Sequence, residues 1–357
     1  MTNYFFNKAI HSLLFILVII TSCNGQVKPI VQNDITSIGS DKIPFPIGEN
    51  KDVRIVAGIE DADGNLWFGS LGEGLFKYDG KSFVHFGIEQ GLNSNAIYSI
   101  FQDKSRNVWV GTNKELNRFN GIRFECIPIV LSDKNSYFYK NSNSISSPTE
   151  NTVWCMMQDR NGIIWFGTDE AVYCYDGKAF SRFIDNRNVV NKDSLNLKGI
   201  FSILESKNGN IWFAECAGEG ISSFDGKILS TIIPYNEIRR TDRIIEDKHN
   251  NLWFATAFKG IGKYVGKAYT QNIFKDQDLN GSYNILEDAG GNLWFDTQNG
   301  LGFYDGKNLN ILTEKEGTVV KDLIPILLDK AGNLWFSCKG MKLYKYDGKT
   351  FTNYSEY

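Results

Sequence analysis

Few side chains of this 357-residue chain have the types and spacing that catalysis or metal binding requires. Its three histidines are His11, His85 and His249, and no GxSxG, HExxH or CxxC motif occurs. The turn DADGN at residues 61–65 hints at a calcium loop. An EF-hand loop, however, needs Gly at its sixth position and a distal Glu, and the other copies of this turn do not keep two early acids. We interpret these acids as turn formers and expect no catalytic residue, no metal site and no cofactor.

Cysteine spacing and net charge exclude two further classes of protein. Beyond the first 23 residues the cysteines are odd in number and irregularly spaced, which is no disulfide framework and no paired metal site; they are Cys126, Cys155, Cys174, Cys216 and Cys338. Most should be small buried apolar side chains. The formal net charge is −3 and no Lys/Arg run exceeds a pair, so a nucleic-acid partner is not expected.

The start of the chain has the pattern of an export signal. Lys8 gives a positive start, and residues 13–20 form an apolar run of eight, which is shorter than the about 20 residues of a membrane span. The next residues, Ile20-Thr21-Ser22-Cys23, resemble the lipobox of bacterial lipoproteins, which implies acylation of Cys23. The alternative is an ordinary signal peptide that ends near a Cys. The three predicted parts are a lipoprotein signal peptide at 1–22, a tether or leader at 23–51, and a folded domain at 52–357.

The folded part contains seven copies of one motif, a short apolar segment around a Trp. The repeat tryptophans are separated by 42, 56, 47, 41, 41 and 41 residues, a period typical of four-stranded propeller blades; they are Trp67, Trp109, Trp165, Trp212, Trp253, Trp294 and Trp335. Each unit has four strand signals, and no long helical stripe follows Asp34. The sequence predicts an all-β, seven-bladed β-propeller of four-stranded antiparallel blades. The rival prediction is an open all-β solenoid.

Physical reasons support this prediction within each unit. Consecutive Leu-Trp-Phe favours a strand covered on both faces, as when each blade is sandwiched between two others. A Gly or Ala two residues after most of the tryptophans lets the adjacent sheet approach. Asp-Gly or Asn-Gly pairs such as Asp79-Gly80 predict a tight turn between strands three and four, with positive φ at both positions. The closure of the ring is left open: either the blades are whole, or a leader strand such as DITSI at 34–38 joins the last blade.

The motif D…GNLWFGT…GL.RYDG resembles the two-component-regulator propeller repeat, and the resemblance covers about residues 53 to 354. It implies a periplasmic sensor propeller of the kind thought to detect carbohydrate fragments. In the full regulators a β-sandwich, a transmembrane helix and a histidine kinase follow. None of these fits before Tyr357, so we expect a lipoprotein without a kinase domain, and signalling would require a partner. The propeller also resembles the streptogramin-inactivating lyases, which use a His on the ligand face; neither His85 nor His249 is expected there.

Loop lengths indicate which end of the propeller binds. The turns between strands one and two and between strands three and four are stereotyped, whereas the second–third bends and the crossovers between blades vary, so recognition is expected at the variable end. Two crossovers carry insertions, at 128–151 and 185–199. Aromatic side chains offer stacking faces there, and charged side chains offer hydrogen bonds; the candidates are Tyr137, Phe138, Tyr139, Lys114, Asp169, Glu170, Glu215, Arg240 and Lys259.

Two functions of different classes follow from this reasoning. The first is a membrane-tethered, extracytoplasmic binding or sensor propeller that recognises an oligosaccharide or similar small ligand at the variable end. The second is a protein–protein scaffold module of the cell envelope. A lyase-like enzyme is the third and weakest alternative. We expect a monomeric propeller at the bacterial cell envelope, attached to the membrane through a lipid on Cys23, with a glycan, another small molecule or an envelope protein as its partner.

Overall fold

A computed structural model describes residues 52–131, 151–216, 218–270, 273–274, 279–315 and 318–355. Along them, seven antiparallel sheets follow one another, and in each sheet consecutive strands are paired. The first strands of adjacent blades contact one another around the ring, and blade 7 contacts blade 1 in the same way. The predicted seven-bladed β-propeller is therefore confirmed. Within the described residues, no helix is long and apolar enough to cross a membrane.

Every blade contains four strands in sequence order. Blade 1 comprises Ile55–Glu60, Leu66–Ser70, Leu75–Tyr78 and Phe83–Phe86; blade 2 comprises Ile97–Gln102, Val108–Thr112, Glu115–Phe119 and Phe124–Ile127; blade 3 comprises Val153–Gln158, Ile164–Thr168, Val172–Tyr175 and Phe180–Arg182; blade 4 comprises Ile200–Glu205, Ile211–Glu215, Ile221–Phe224 and Ile228–Ile233. Blade 5 comprises Thr241–Glu246, Leu252–Thr256, Gly260–Val265 and Ala268–Thr270; blade 6 comprises Ile285–Glu287, Leu293–Thr297, Gly300–Tyr304 and Leu309–Leu312; blade 7 comprises Ile324–Leu328, Leu334–Cys338, Lys342–Tyr346 and Phe351–Asn353.

The remaining elements are short. They are the 3-10 turns Ile88–Gln90 and Phe183–Asp185, the helix Tyr235–Ile238, the strand Val190–Asn191, and the hairpin Glu314–Lys315 with Thr318–Val319. Val190–Asn191 pairs in parallel with the outer strand of blade 4. Leu195 and Leu197 from the same insertion are buried. The crossover at 185–199 is thus packed onto the propeller as part of blade 4.

A hydrogen bond from each repeat Trp explains why the first–second turn is stereotyped. In six blades an Asp accepts the indole N–H, as when Trp253 Nε1 donates to Asp247 Oδ2 at 2.8 Å; the pairs are Asp61–Trp67, Asp103–Trp109, Asp159–Trp165, Asp247–Trp253, Asp288–Trp294 and Asp329–Trp335. In blade 4, Ser206 Oγ replaces the carboxylate, and Trp212 Nε1 donates to it at 3.2 Å. The first acid of the calcium-like turn, Asp61, therefore holds a core tryptophan, whereas Asp63 pairs with Arg106.

Close approach between blades accounts for the glycine two residues after Trp67, Trp109 and Trp165. A Cβ on Gly111 would lie 2.6 Å from the carbonyl oxygen of Val153, and one on Gly167 would lie 2.7 Å from that of Ile200. Both carbonyls belong to the next blade, so a larger residue would push the sheets apart. Seven clusters of buried side chains lie at the seven blade interfaces. No blade has a core of its own, so each blade needs the same apolar motif to pack against its neighbours.

The turn between strands three and four differs from the prediction at one point. Of the two turn residues in the first blade, Gly80 has a positive φ of 91°, whereas Asp79 does not have a positive φ. The Asp79 carboxylate instead accepts the backbone N–H groups of Lys81 and Ser82, at 2.8 and 2.7 Å. The expected positive φ at both positions is therefore wrong, because the aspartate shapes the turn through its side chain.

At the stereotyped end, a belt of hydrogen bonds joins the blades at six of the seven interfaces, including the one between blade 7 and blade 1. The residue after the turn Asp or Ser donates its backbone N–H to the Glu or Gln that ends the first strand of the next blade; the pairs are Ala62–Gln102, Lys104–Gln158, Arg160–Glu205, Lys207–Glu246, Lys248–Glu287 and Lys330–Glu60. The last pair joins blade 7 to blade 1. The blades are whole, and their contacts close the ring; the DITSI leader lies outside the described residues, as do the predicted signal peptide and tether.

Candidate functional site

The end of the propeller opposite the belt has the less regular side chains. The first strands begin there, around the mouth of the central channel that such a ring encloses. At the belt end, by contrast, the turn aspartates and the strand-ending Glu and Gln side chains are occupied by bonds within and between blades. The structure thus leaves the variable end as the place where side chains can bind something else.

A row of aromatic rings lies at this mouth and is the main feature that the sequence reasoning missed. Its members are Tyr98, Trp154, Phe201 and Tyr283, from blades 2, 3, 4 and 6, and we call them the aromatic row. The rings of Tyr98 and Trp154 are 4.6 Å apart, and those of Trp154 and Phe201 are 4.4 Å apart. The first three rings are half-buried and Tyr283 is 45% exposed, so the row retains accessible ring surface.

The second–third bend of blade 3 holds the central ring of the row. Trp154 Nε1 donates to Asp169 Oδ1 at 2.7 Å, and Asp169 Oδ2 accepts the backbone N–H of Thr152 at 3.3 Å. Because its indole is fixed by a carboxylate, Trp154 has a defined ring orientation. The predicted site residue Asp169 therefore lies at the mouth and positions Trp154.

An ion pair in blade 5 continues the aromatic row. The guanidinium of Arg240 lies 5.0 Å from the ring centroid of Phe201 and 5.8 Å from that of Tyr283. Its Nη2 donates to Asp242 Oδ1 at 2.6 Å. Burial tends to lower the pKa of Arg240, but the bonds to Asp242 prevail and raise it. Burial raises the pKa of Asp242, although Arg240 opposes this.

A buried carboxyl group positions Tyr283. Asp296 accepts the backbone N–H groups of Tyr283, at 3.1 Å, and of Asn284, at 2.8 Å. It replaces the small residue that follows the repeat Trp by two positions in the other blades. Burial raises the pKa of Asp296 to about 7; the two backbone donors oppose this rise and the charge of Asp242 adds to it. A substantial fraction of Asp296 is therefore protonated at neutral pH.

Glu215 is a second carboxyl group with an unusual environment. It stands where five other blades have Ser or Thr, and it is 2% exposed. Its Oε2 accepts the backbone N–H of Glu219 at 2.7 Å, whereas its Oε1 has no hydrogen-bond partner among the described residues. Burial and the neighbouring Glu219 raise its pKa to about 9. Glu215 is thus mainly neutral at pH 7.

Asp169, Glu215, Arg240 and Asp242 all lie close enough to the thiol of Cys216 to act on its pKa. Burial raises its pKa, Arg240 lowers it, and Asp169, Glu215 and Asp242 raise it further. Side chains of three blades therefore act on one point of the mouth. The structure brings together three predicted site residues, Asp169, Glu215 and Arg240.

The other predicted residues lie elsewhere. Glu170 accepts a long hydrogen bond of 3.4 Å from the Tyr173 hydroxyl, and Lys114 is exposed. Lys259 Nζ donates to the carbonyl of Glu237 at 2.6 Å and so holds the short helix before blade 5. Tyr137, Phe138 and Tyr139 lie outside the described residues, as does most of the 128–151 insertion, so those predictions remain predictions.

Among the described residues, neither a metal-ligand cluster nor a histidine is found at the mouth. Among the described residues, no group of three or more His, Cys, Asp or Glu could hold a metal ion. His85 lies on the outer strand of blade 1, where its Nε2 pairs with the carbonyl of Glu73, and His249 lies in a belt-end turn. Both positions agree with the sequence prediction, and neither is at the mouth.

A cleft of about 370 Å³ lies between blades 3 and 4, away from the mouth. It forms beside Trp165, whose cross-strand neighbour is Cys174. In blades 1 and 5 that neighbour is a lysine, Lys77 or Lys263, whose Nζ covers the Trp ring at about 5 Å. The small cysteine leaves this space open. The cleft follows from packing and contains no charged group aimed at a ligand other than the turn residue Asp176, whose carboxylate holds its own turn.

Comparisons with known proteins agree with this architecture. The class is a seven-bladed β-propeller, and a family model described as the two-component regulator propeller matches residues 91–114 and 147–170. These two segments therefore carry the two-component-regulator propeller repeat. A histidine kinase of Formosa agariphila is 29% identical over 168 residues, which are 44% of this chain and 11% of the kinase.

Solved structures show the same fold. The extracellular domain of a protein described as a hybrid two-component system from B. thetaiotaomicron has a TM-score of 0.67 at 19% identity, over 84% of this chain and 39% of that one. Virginiamycin B lyase from Staphylococcus aureus has a TM-score of 0.62 at 14% identity, over 85% and 97%. PorZ, a surface component of the type-IX secretion system of Porphyromonas gingivalis, has a TM-score of 0.50 at 16% identity, over 85% and 50%. This chain spans less than half of the two-component-system neighbour and about a ninth of the kinase.

A signal for the aromatic row is present in the sequence. Its members stand eleven residues before the repeat Trp of their blades, as Trp154 does before Trp165. The same position holds Val56, Asp242 and Ile324 in the remaining blades. Alignment of the first strands on the repeat Trp would have found the row, whereas inspection of the loops could not.

Proposed function

We propose that this propeller is an extracytoplasmic binding or sensor module that holds an oligosaccharide or similar small ligand on the aromatic row. The observation that carries the proposal is the continuous path from Tyr98 through Trp154 and Phe201 to Arg240. Flat ring faces stack on the apolar faces of sugar rings, and a few fixed polar groups beside them orient the hydroxyls. Asp169 and the Arg240–Asp242 pair are such groups. The kinship with propellers of sensor systems supports a sensing role.

The cellular setting is part of the same proposal. The apolar run and the Ile20-to-Cys23 stretch support export and a lipid anchor on Cys23. The extracellular location of the structural neighbours supports an extracytoplasmic position. A ligand-loaded propeller on the membrane surface would pass its signal to a separate partner.

The proposal is tested with residues 24–357 on a glycan array, followed by calorimetric titration of any glycan that binds. Replacing Trp154 by Ala should weaken binding at least tenfold, or about 1.4 kcal/mol, because the central stacking face is lost. Phe258 is the matched control: it is 57% exposed in a bend at the same end but outside the row. Phe258→Ala should leave the affinity unchanged.

Two results would contradict the proposal. The first is a glycan that binds Trp154→Ala as tightly as the wild type. The second is a glycan array on which no glycan binds the protein, together with a peptide array on which a peptide binds the wild type but not Phe258→Ala. This result would favour the protein–protein scaffold of the cell envelope.

A further inference from the structure

Arg243 interrupts the repeat at a position where the other blades have uncharged residues. It stands ten residues before Trp253, on the first strand of blade 5, and the equivalent residues are Ala57, Ser99, Cys155, Ser202, Asn284 and Pro325. Several of these bond the backbone of the next blade, as Ser99 Oγ does to the carbonyl of Val153 at 2.8 Å. An arginine has no such partner here, so its presence needs another reason.

The surroundings of Arg243 place its guanidinium in the central channel. The residue is solvent-exposed, yet burial within the surrounding protein lowers its pKa. The first strands of the blades surround the central channel, so an exposed side chain in the middle of such a strand lies in that channel. Its charge also acts on the thiol of Cys155 in blade 3, two blades away. Arg243 directly follows Asp242 along the strand, so it lies just inside the mouth that carries the aromatic row.

The guanidinium of Arg243 has no hydrogen bond or ion pair within the part of the chain that the structure describes. The nearest acid in sequence, Asp242, is already paired with Arg240 through two of its nitrogens. Asp296 accepts two backbone N–H groups instead. An arginine does not lose its proton in a protein, so a desolvated guanidinium favours a counter-anion.

The acids near the mouth carry less negative charge than their number suggests. Arg240 neutralises Asp242. The raised pKa values of Asp296, about 7, and Glu215, about 9, keep much of the first and most of the second protonated at neutral pH. An anion that enters the channel therefore meets weaker repulsion than three ionised, unpaired carboxylates would produce.

We propose that Arg243 is an anion-binding group that receives the carboxylate or sulfate of an acidic saccharide whose ring stacks on the aromatic row. The planar fork of a guanidinium matches both groups with two parallel N–H···O bonds. The saccharide part rests on the function proposed above, whereas the anion site does not. The inference names the ligand class: an oligosaccharide with a uronic acid or sulfate ester, not a neutral one.

The anion site is tested first with inorganic sulfate, by thermal unfolding of residues 24–357 at constant ionic strength. Sulfate should raise the melting temperature of the wild type, because a ligand that binds the folded state stabilises it. The rise should vanish in Arg243→Gln. It should persist in Arg123→Gln, which removes the same charge from an exposed position on blade 2. Arg243→Lys keeps the charge but loses the fork, so a smaller rise is expected. An equal rise in the wild type and Arg243→Gln would overturn the inference.

The saccharide part is tested by comparing glucuronate with glucose, which differ in one carboxylate. Wild type should prefer glucuronate by about tenfold, as expected for one charge-assisted pair, and Arg243→Gln should show no preference. Equal binding of both sugars by wild type and variant would refute this inference and leave the proposed function standing. If neither sugar nor any array glycan binds, but the sulfate effect depends on Arg243, the proposed function fails and the anion site stands.

Discussion

Replacing Asp247 by Ala tests the idea that the turn aspartates hold the blade core. One carboxylate here accepts four hydrogen bonds: Oδ1 from the backbone N–H groups of His249 and Asn251, and Oδ2 from the Asn251 side chain and from Trp253 Nε1. The indole is 2% exposed, so no water can replace the lost acceptor without opening the core. The other three donors lie nearer the surface, where water can take over part of their bonding.

The expected loss of stability is the sum of two contributions, one from the buried indole N–H and one from the three donors nearer the surface. A buried donor left without an acceptor costs about 1–3 kcal/mol. The three turn bonds together add about 1 kcal/mol, because each is partly replaced by water. Asp247→Ala should therefore lower the free energy of unfolding by about 2–4 kcal/mol. Blade 4 suggests a milder change: Asp247→Ser imitates the Ser206–Trp212 pair and should lose less than half as much.

Urea denaturation followed by Trp fluorescence measures this loss as a shift of the midpoint at constant slope. Asp305→Ala is the control, since this exposed aspartate accepts two backbone N–H groups but no indole, and its loss should be clearly smaller. Burial tends to raise the pKa of Asp247, but the bonds from Trp253 and Asn251 outweigh this and lower it. The stabilisation is therefore present above the unfolded pKa of about 3.9 and is lost as pH falls through the folded value. Equal losses for Asp247→Ala and Asp305→Ala, or an unchanged midpoint for the former, would refute the reasoning.

Three further results are expected. Trp253→Ala should cost about 3–5 kcal/mol of stability, whereas Trp154→Ala should cost less, because Trp154 is half-buried at the mouth; equal denaturant midpoints would contradict this. Because the pKa of Glu215 is raised to about 9, folding favours its protonated form and stability falls as pH rises from the unfolded pKa towards 9; Glu215→Gln should flatten this decline between pH 5 and 9, and an unaltered profile would count against the buried neutral carboxyl. Cys23→Ala should release the protein from membranes and abolish lipid labelling, and an unmodified Cys23 in the intact mass of the wild type would disprove the anchor.

The repeat made the blades predictable. The tryptophan spacing gives the blade count, and the consecutive apolar residues require a covering on both faces, which only neighbouring blades supply. The small residue two positions after the repeat Trp and the aspartate six positions before it have local roles that recur in most units, so one unit explains the others. Even the aromatic row has a sequence signal, since Trp154 stands at a constant distance from the repeat Trp.

Only the tertiary structure shows which of the residues that depart from the repeat pattern lie close together. Asp169, Glu215 and Arg240 come from three blades, and nothing in their local sequence says that their side chains lie at one mouth. Their meeting depends on ring closure, which brings distant segments to a common axis, and on the direction in which each side chain leaves its strand. The raised pKa of Glu215 has the same origin, because desolvation is set by all the atoms that surround a group and not by its neighbours in sequence.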